Sequence, residues 1–181
     1  MEPFTQLKEF IDDPHYLNRR REYLGKLDLS TIDAPIADLI SGFAHLPYCY
    51  TLQSCYGHFL HDDQKNPANL EPLPVLSSII TVEYRIAYIA ICIQNNVSGR
   101  ALFDDLADIP AIDPAYIQFG CAEWFWKTDP NTYALQVEPE RYMYKDKAQI
   151  EYQEALHIEK IKSEFFSALE KLIYKRLRKL G

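Results

Sequence analysis

The sequence predicts an α+β fold. We expect one domain spanning residues 1–181, with a mixed sheet of roughly four to six strands packed by helices. Three observations predict it. The run IAYIAICI (86–93) is apolar on both faces, as a central strand should be. The stretches YIQFGCAEWFW (116–126) and TYALQVEP (132–139) flank KTDPN, the pattern of an antiparallel hairpin. The segment from Asp146 to Leu180 contains neither Gly nor Pro and carries Ile158, Ile161, Phe165, Leu169 and Leu172 as one stripe, which predicts a long C-terminal helix over 146–180.

The other elements follow in order. TQLKEFI and the charged segment Tyr16–Leu27 read as helical. Asp33 is a good N-cap, Pro35 falls in the first turn, and Ile36, Leu39, Ile40 and Phe43 recur at helical spacing before Pro47 ends the helix. YCYTLQSC (48–55) reads as a strand. DDQKNPANLEPLP (62–74) is a polar loop with three prolines, a candidate lid. Residues 79–85 either extend the central strand or form their own. Ser98 caps a short helix bearing Leu102, Phe103, Leu106 and Ile109, and PAIDP (110–114) is a loop. A helix over 146–180 would run on the order of 50 Å, longer than a compact domain of this size, so it must bend, break or project.

Composition narrows the function classes. Hydrophobic residues make up 48% and charged residues 25% of the chain, ordinary values for a globular protein. MEPFTQLKEF lacks a basic lead and an apolar segment, and the apolar run 86–93 is too short to span a bilayer, so the expectation is a cytoplasmic protein without membrane attachment. Cys49, Cys55, Cys92 and Cys121 show no paired short spacing and read as reduced thiols. A net charge of −7 disfavours a protein that blankets nucleic acid with positive charge. Two basic clusters remain, Arg19–Arg21 and the acid-free end containing Lys171, Lys175, Arg176, Arg178 and Lys179. Neither a dinucleotide fingerprint nor a P-loop is available to a chain with six glycines and no matching motif.

The window LPYCYTLQSCYGHFLHDD (46–63) holds most of the visible chemistry. On a strand, Cys49 and Cys55 lie about 20 Å apart and cannot serve one ion. Cys55, His58 and His61 keep a metal site open as the lesser reading, and no metal is favoured. Cys55 beside His58 fits an activated thiolate, although a small buried hydrophobe is the commoner role of cysteine. The favoured reading is a ligand-binding turn. Gln53 and Ser54 offer polar contacts, Tyr50 and Tyr56 offer stacking faces, and Gly57 lets a ligand approach the backbone. Cys55 and His58 are the catalytic candidates.

The stretch LGKLDLSTIDAPIADLISGFAHLPYCYTLQSCYGHF (24–59) also resembles the N-terminal part of the wybutosine-synthesis methyltransferase family. That family has a strand ending in a motif of the form T-x-S-S-C-S-G-R. Thr51, Ser54, Cys55 and Gly57 match it in register, with Lys26, Asp33, Leu39 and Ile40 at fitting places upstream. Gln53, Tyr56 and His58 depart from it, His58 standing where the family has arginine. The resemblance implies S-adenosylmethionine as cofactor and a hypermodified guanosine of phenylalanine tRNA as the partner. Activity altered or lost through the departures is part of the same expectation.

The competing expectation is a non-catalytic protein that binds a partner, or itself, through the long C-terminal helix. Trp124 and Trp126 on one strand face would suit a stacking platform or the core. Glu138, Glu140 and Arg141, the acids Asp104, Asp105 and Asp108, and His157 between Glu154 and Lys160 read as solvated surface. His15 reads as a helix start.

Overall fold

The computed structural model describes residues 4–75, 78–142 and 146–180. Its elements, in order, are β1 (Phe4–Thr5), α1 (Tyr16–Lys26), α2 (Ala37–His45), β2 (Cys49–Cys55), β3 (His58–Leu60), β4 (Thr81–Arg85), β5 (Ala87–Ile93), α3 (Val97–Ala107), β6 (Ile117–Ala122), α4 (Glu123–Thr128), β7 (Thr132–Val137), β8 (Lys147–Glu151) and α5 (Tyr152–Leu177). Short 3-10 turns occupy Leu29–Thr31, Ala34–Ile36, Ile109–Ile112 and Glu140–Tyr142.

The architecture is α+β, as the sequence predicts, but the single mixed sheet is replaced by two antiparallel ones. The larger has strand order β1-β6-β7-β5-β2, and the smaller has β3-β4-β8. The chain passes between them twice in adjacent places, at Tyr56–Gly57 from β2 to β3 and at Ile86 from β4 to β5. The two crossings form a corner. Tyr84, wholly buried, braces it by accepting from Ala87 N at 3.0 Å and donating to Val137 O at 2.7 Å.

The core lies between the larger sheet and a helical layer in which α5 packs against α2, β4, β7 and β8. Ile158, Ile161, Phe165, Leu169 and Ile173 are all buried there. The expected 146–180 helix begins instead at Tyr152, because Lys147–Glu151 pairs with β4. Its burial alternates residue by residue, with Ala148 and Ile150 inward. The remaining helix of 26 residues is about 39 Å long, which fits the domain without projecting.

Three further elements differ from expectation, the first being TQLKEFI, which leaves β1 at Thr5 and runs on without helix. The strand 116–126 stops at Ala122, and Glu123–Thr128 is a turn and a half of helix. Trp124 and Trp126 therefore do not share a strand face: Trp124 is 53% exposed, while Trp126 packs edge-on against Tyr133 at 5.5 Å. The cap of α3 is Asn96, which accepts from Gly99 N at 2.8 Å, rather than Ser98. Gly99 is required at that start, since a Cβ would stand 2.0 Å from the Gln94 carbonyl oxygen. Gly99→Ala should therefore lower stability by about 1–3 kcal/mol, read as a drop in the urea midpoint at unchanged slope.

Of the charged groups expected on the surface, Glu138 is the exception; Asp104, Asp105, Asp108, Arg141 and His157 are exposed or half-exposed, some of them in ion pairs. Glu138 is fully buried beside Gln136, whose Nε2 donates to it at 3.1 Å. Asp105 accepts from Arg176, and His157 Nε2 lies 3.4 Å from Asp113. The Glu140 side chain lies outside the described part of the structure, while Arg141 pairs with Glu154. His15 does begin α1.

Candidate active site

Gly57 lies at the corner between the sheets with φ +86°, and its missing Cβ would meet Ala87 Cβ at 2.8 Å and Ala87 N at 3.0 Å. Only glycine suits both the left-handed backbone and that close approach. The turn so formed carries Cys55, Tyr56 and His58 toward two residues that lie far away in sequence, Asp33 and Lys162.

Asp33 leads into the Ala34–Ile36 turn, as expected, but its side chain makes no cap bond. Its Oδ2 instead accepts from Tyr56 N at 2.7 Å and lies 3.3 Å from His58 Nε2. One ligand atom from each of Asp33, Cys55 and His58 falls within 4.8 Å of the others. His58 is 7% exposed, and its Nδ1 donates to Asn69 O at 3.0 Å, which fixes the ring orientation. Because a carbonyl can only accept, the proton on Nδ1 is assigned and Nε2 faces the carboxylate. Gly57 N points at Cys55 Sγ from 3.4 Å. Burial pushes the Cys55 thiol up, with Asp33 adding to the rise. That is the opposite of what an activated nucleophile needs, so the thiol is protonated unless another charge joins it.

Lys162 enters from the middle of α5 and is 4% exposed. Its Nζ donates to Gly57 O at 3.2 Å and lies 4.1 Å from the Tyr56 ring centre and 4.9 Å from that of Phe59. Burial lowers its pKa to about 8, against the opposing pull of Glu159, Cys55 and Asp33. An ammonium under the influence of two carboxylates and a thiol, at the edge of a groove, can hold an anionic ligand group or exchange a proton near neutrality. A groove of about 520 Å³ opens beside it, lined by Tyr56, Leu70, Pro72, Glu159, Lys162 and Ser163. Tyr56 stacks on Phe166 at 5.2 Å and so forms a fixed wall of the groove.

The structure thus brings Cys55, Tyr56, Gly57 and His58 together and separates the other candidates from them. Tyr50 is fully buried, donating to Asp129 at 3.0 Å and stacked against Tyr23 at 5.0 Å, and offers no free face. Gln53 is exposed and accepts from Tyr88 OH at 3.2 Å, whereas Ser54 pairs across to Ile89 within the larger sheet. His61 turns away into a bridge with Gln64, and Asp33 takes its place beside Cys55 and His58. Cys49, Cys92 and Cys121 are buried core thiols, and none of the four cysteines is joined in a disulfide.

Three members of the basic clusters are tied into the fold, while Arg21, Lys171, Lys175 and Lys179 stay exposed. Arg19 pairs with Asp13 and Asp129, and Arg20 closes the C-terminus of α2 through the carbonyls of Ala44, Leu46 and Cys49. Arg176 is tied to Asp105 and Tyr48. Lys26 pairs with Glu22 on the outer surface of α1.

No family model and no curated protein matches the sequence. Among solved structures, the chain is similar to the PH1069 protein from Pyrococcus horikoshii, with a TM-score of 0.53 at 9% identity, covering 88% of this chain and 96% of that one. At that identity the likeness establishes a shared fold over nearly the whole chain. Among the described residues no helix is long and apolar enough to cross a membrane.

Proposed function

We propose that the chain is a methyltransferase-like enzyme that uses S-adenosylmethionine and acts on a nucleoside of the kind found in tRNA. One observation carries the reading: the turn that matches the family motif is the turn on which Asp33 and Lys162 converge. His58 replaces the motif's arginine and cannot act as a permanent cation, but Lys162 brings an ammonium to the same turn from α5. In this reading Lys162 holds the donor's carboxylate, Tyr56 and the 520 Å³ groove receive its apolar or aromatic part, and the Asp33–His58 pair orients the acceptor and takes its proton. Transfer from a sulfonium depends mainly on in-line alignment, so a nucleophilic triad is not required. Four cysteines without a disulfide suit the reducing cytoplasm, where we infer the protein works.

The test is transfer of labelled methyl from S-adenosylmethionine to bulk tRNA or free nucleosides. His58→Ala should lower the rate by about 10²–10⁴-fold with the fold intact, and Cys92→Ser, in the core, should not. Equal turnover in His58→Ala, or no turnover with any nucleoside acceptor, would count against the reading.

The alternative, a partner bound through the C-terminal helix, now has a narrower surface. The stripe containing Phe165 and Leu169 is fully buried within the domain. Phe165→Asp should therefore unfold the protein rather than merely dissociate a complex, as circular dichroism would report. A partner would have to use the outer face, where Tyr174 and Leu180 are exposed.

A further inference from the structure

We propose that Asp33, Cys55 and His58 form a binding site for a zinc-type divalent cation, with a fourth position open to water or a ligand. The inference does not rest on the methyl-transfer reading. It begins with a mismatch in the hydrogen bonds. His58 commits its Nδ1 proton to Asn69 O, so in the neutral ring Nε2 is a lone pair. That lone pair faces Asp33 Oδ2, also an acceptor, at 3.3 Å. Two acceptors settle at that distance with a hydrogen or a cation between them: a second imidazole proton, a carboxyl proton or a metal ion.

The third member of the cluster favours the metal. Cys55 Sγ joins the carboxylate and the imidazole within 4.8 Å. Ligand atoms on one tetrahedral zinc are separated by about 3.4–3.7 Å, given bonds of about 2.0–2.3 Å; Asp33 and His58 already stand at 3.3 Å, and the sulfur has to approach them by no more than about 1.4 Å. The thiol also hydrogen-bonds the Asp33 carboxylate, so sulfur, carboxylate and imidazole converge on one point. The surroundings are those of metal ligands. The far nitrogen of the imidazole donates to a backbone carbonyl, the sulfur faces Gly57 N at 3.4 Å, and the carboxylate accepts from Tyr56 N at 2.7 Å.

The charges balance as well. A carboxylate and a thiolate neutralise a dication, so the adjacent Lys162 ammonium is not expelled. On binding, the metal–sulfur bond replaces the S–H bond and the thiol proton leaves to solvent. Mixed sulfur, nitrogen and oxygen donors suit zinc rather than magnesium or calcium. Three protein ligands with one open position is the arrangement found in reactive rather than structural zinc sites.

The experiment uses the full chain, stripped of metal and titrated with cobalt(II) alone, then with zinc in competition. The expected result is one cobalt per chain, visible bands of a tetrahedral ion, and a near-ultraviolet thiolate-to-cobalt band displaced by zinc. Cys55→Ser should remove the near-ultraviolet band, and His58→Ala should weaken binding by more than about 100-fold. Cobalt that does not bind, or binds without a thiolate band, would overturn the proposal on the unaltered protein, whatever the variants do. A thiolate band that survives Cys55→Ser would overturn it equally. Donor binding by the metal-free protein is measured separately, so the failure of one reading is distinguishable from the failure of the other.

Discussion

Lys162→Met should cost the protein its function while leaving its fold as stable as before, or more so. The wild-type ammonium is 4% exposed and its pKa is lowered from 10.5 to about 8 by burial. Keeping it charged at pH 7 therefore costs about 3 kcal/mol relative to the neutral amine. Methionine has similar length and no charge, and it removes that cost. The offset is Gly57 O, which loses its donor at a price of about 1–3 kcal/mol. The net change at pH 7 lies between zero and a gain of about 2 kcal/mol.

The pH profile is the sharper readout. In the wild type the folded lysine releases its proton near pH 8 and the unfolded one near 10.5. Between those values the unfolded state binds more protons, so Lys162 makes stability rise with pH across that window. In Lys162→Met this contribution disappears, which urea titrations at pH 7.5 and 10 would show. Donor affinity should fall by about 10- to 150-fold, the worth of a hydrogen bond to a charged group. A variant that binds the donor normally would remove Lys162 from the site.

Gly57→Ala should damage both the fold and the site. It incurs about 1–2 kcal/mol for an L-residue at φ +86°. It adds about 1–3 kcal/mol for forcing a methyl group to within 2.8 Å of Ala87 Cβ. Relief requires the two sheet crossings to part, which moves Cys55 and His58 away from Asp33 and lifts Gly57 O off Lys162. The expected outcome is a loss of about 2–5 kcal/mol in urea unfolding, together with loss of both donor and cobalt binding. Unchanged stability would mean that the corner is looser than its contacts imply.

The sequence made some of this visible and hid the rest, for reasons that lie in particular residues. Periodicity revealed α2, β2, β5 and the apolar face of α5, because each buries a face at its own repeat. The β8 strand was also legible, in the alternation of Lys147, Ala148, Gln149, Ile150 and Glu151. It was masked by the lack of any Gly or Pro between it and α5. Aromatic EWFWKT has the composition of a strand, yet it turns helical once β6 ends, with Glu123 tied to Lys8.

The site shows the same division. The turn at Gly57 announced itself locally through glycine, cysteine and histidine. Asp33 looked like a helix cap because its local position fits one, and only the tertiary fold turns its carboxylate to Tyr56 N and His58. Lys162 left one available signal. It falls four residues after Ile158 and three before Phe165, so it is a lysine on an otherwise apolar helical face. No local pattern says that such a lysine will meet a turn more than a hundred residues earlier. Tyr50 erred in the opposite direction, since an aromatic beside the motif proved to belong to the buried Tyr16–Tyr23 cluster.

The central claim, that this corner is a donor-binding site, is tested most directly by calorimetric titration of S-adenosylmethionine into the unaltered chain, His58→Ala, Lys162→Met and the surface control Tyr174→Ala. The account predicts saturable binding of one donor per chain, unchanged in Tyr174→Ala and weakened at least about tenfold in both site variants. Absence of binding to the unaltered chain, or equal binding in all four proteins, would contradict it.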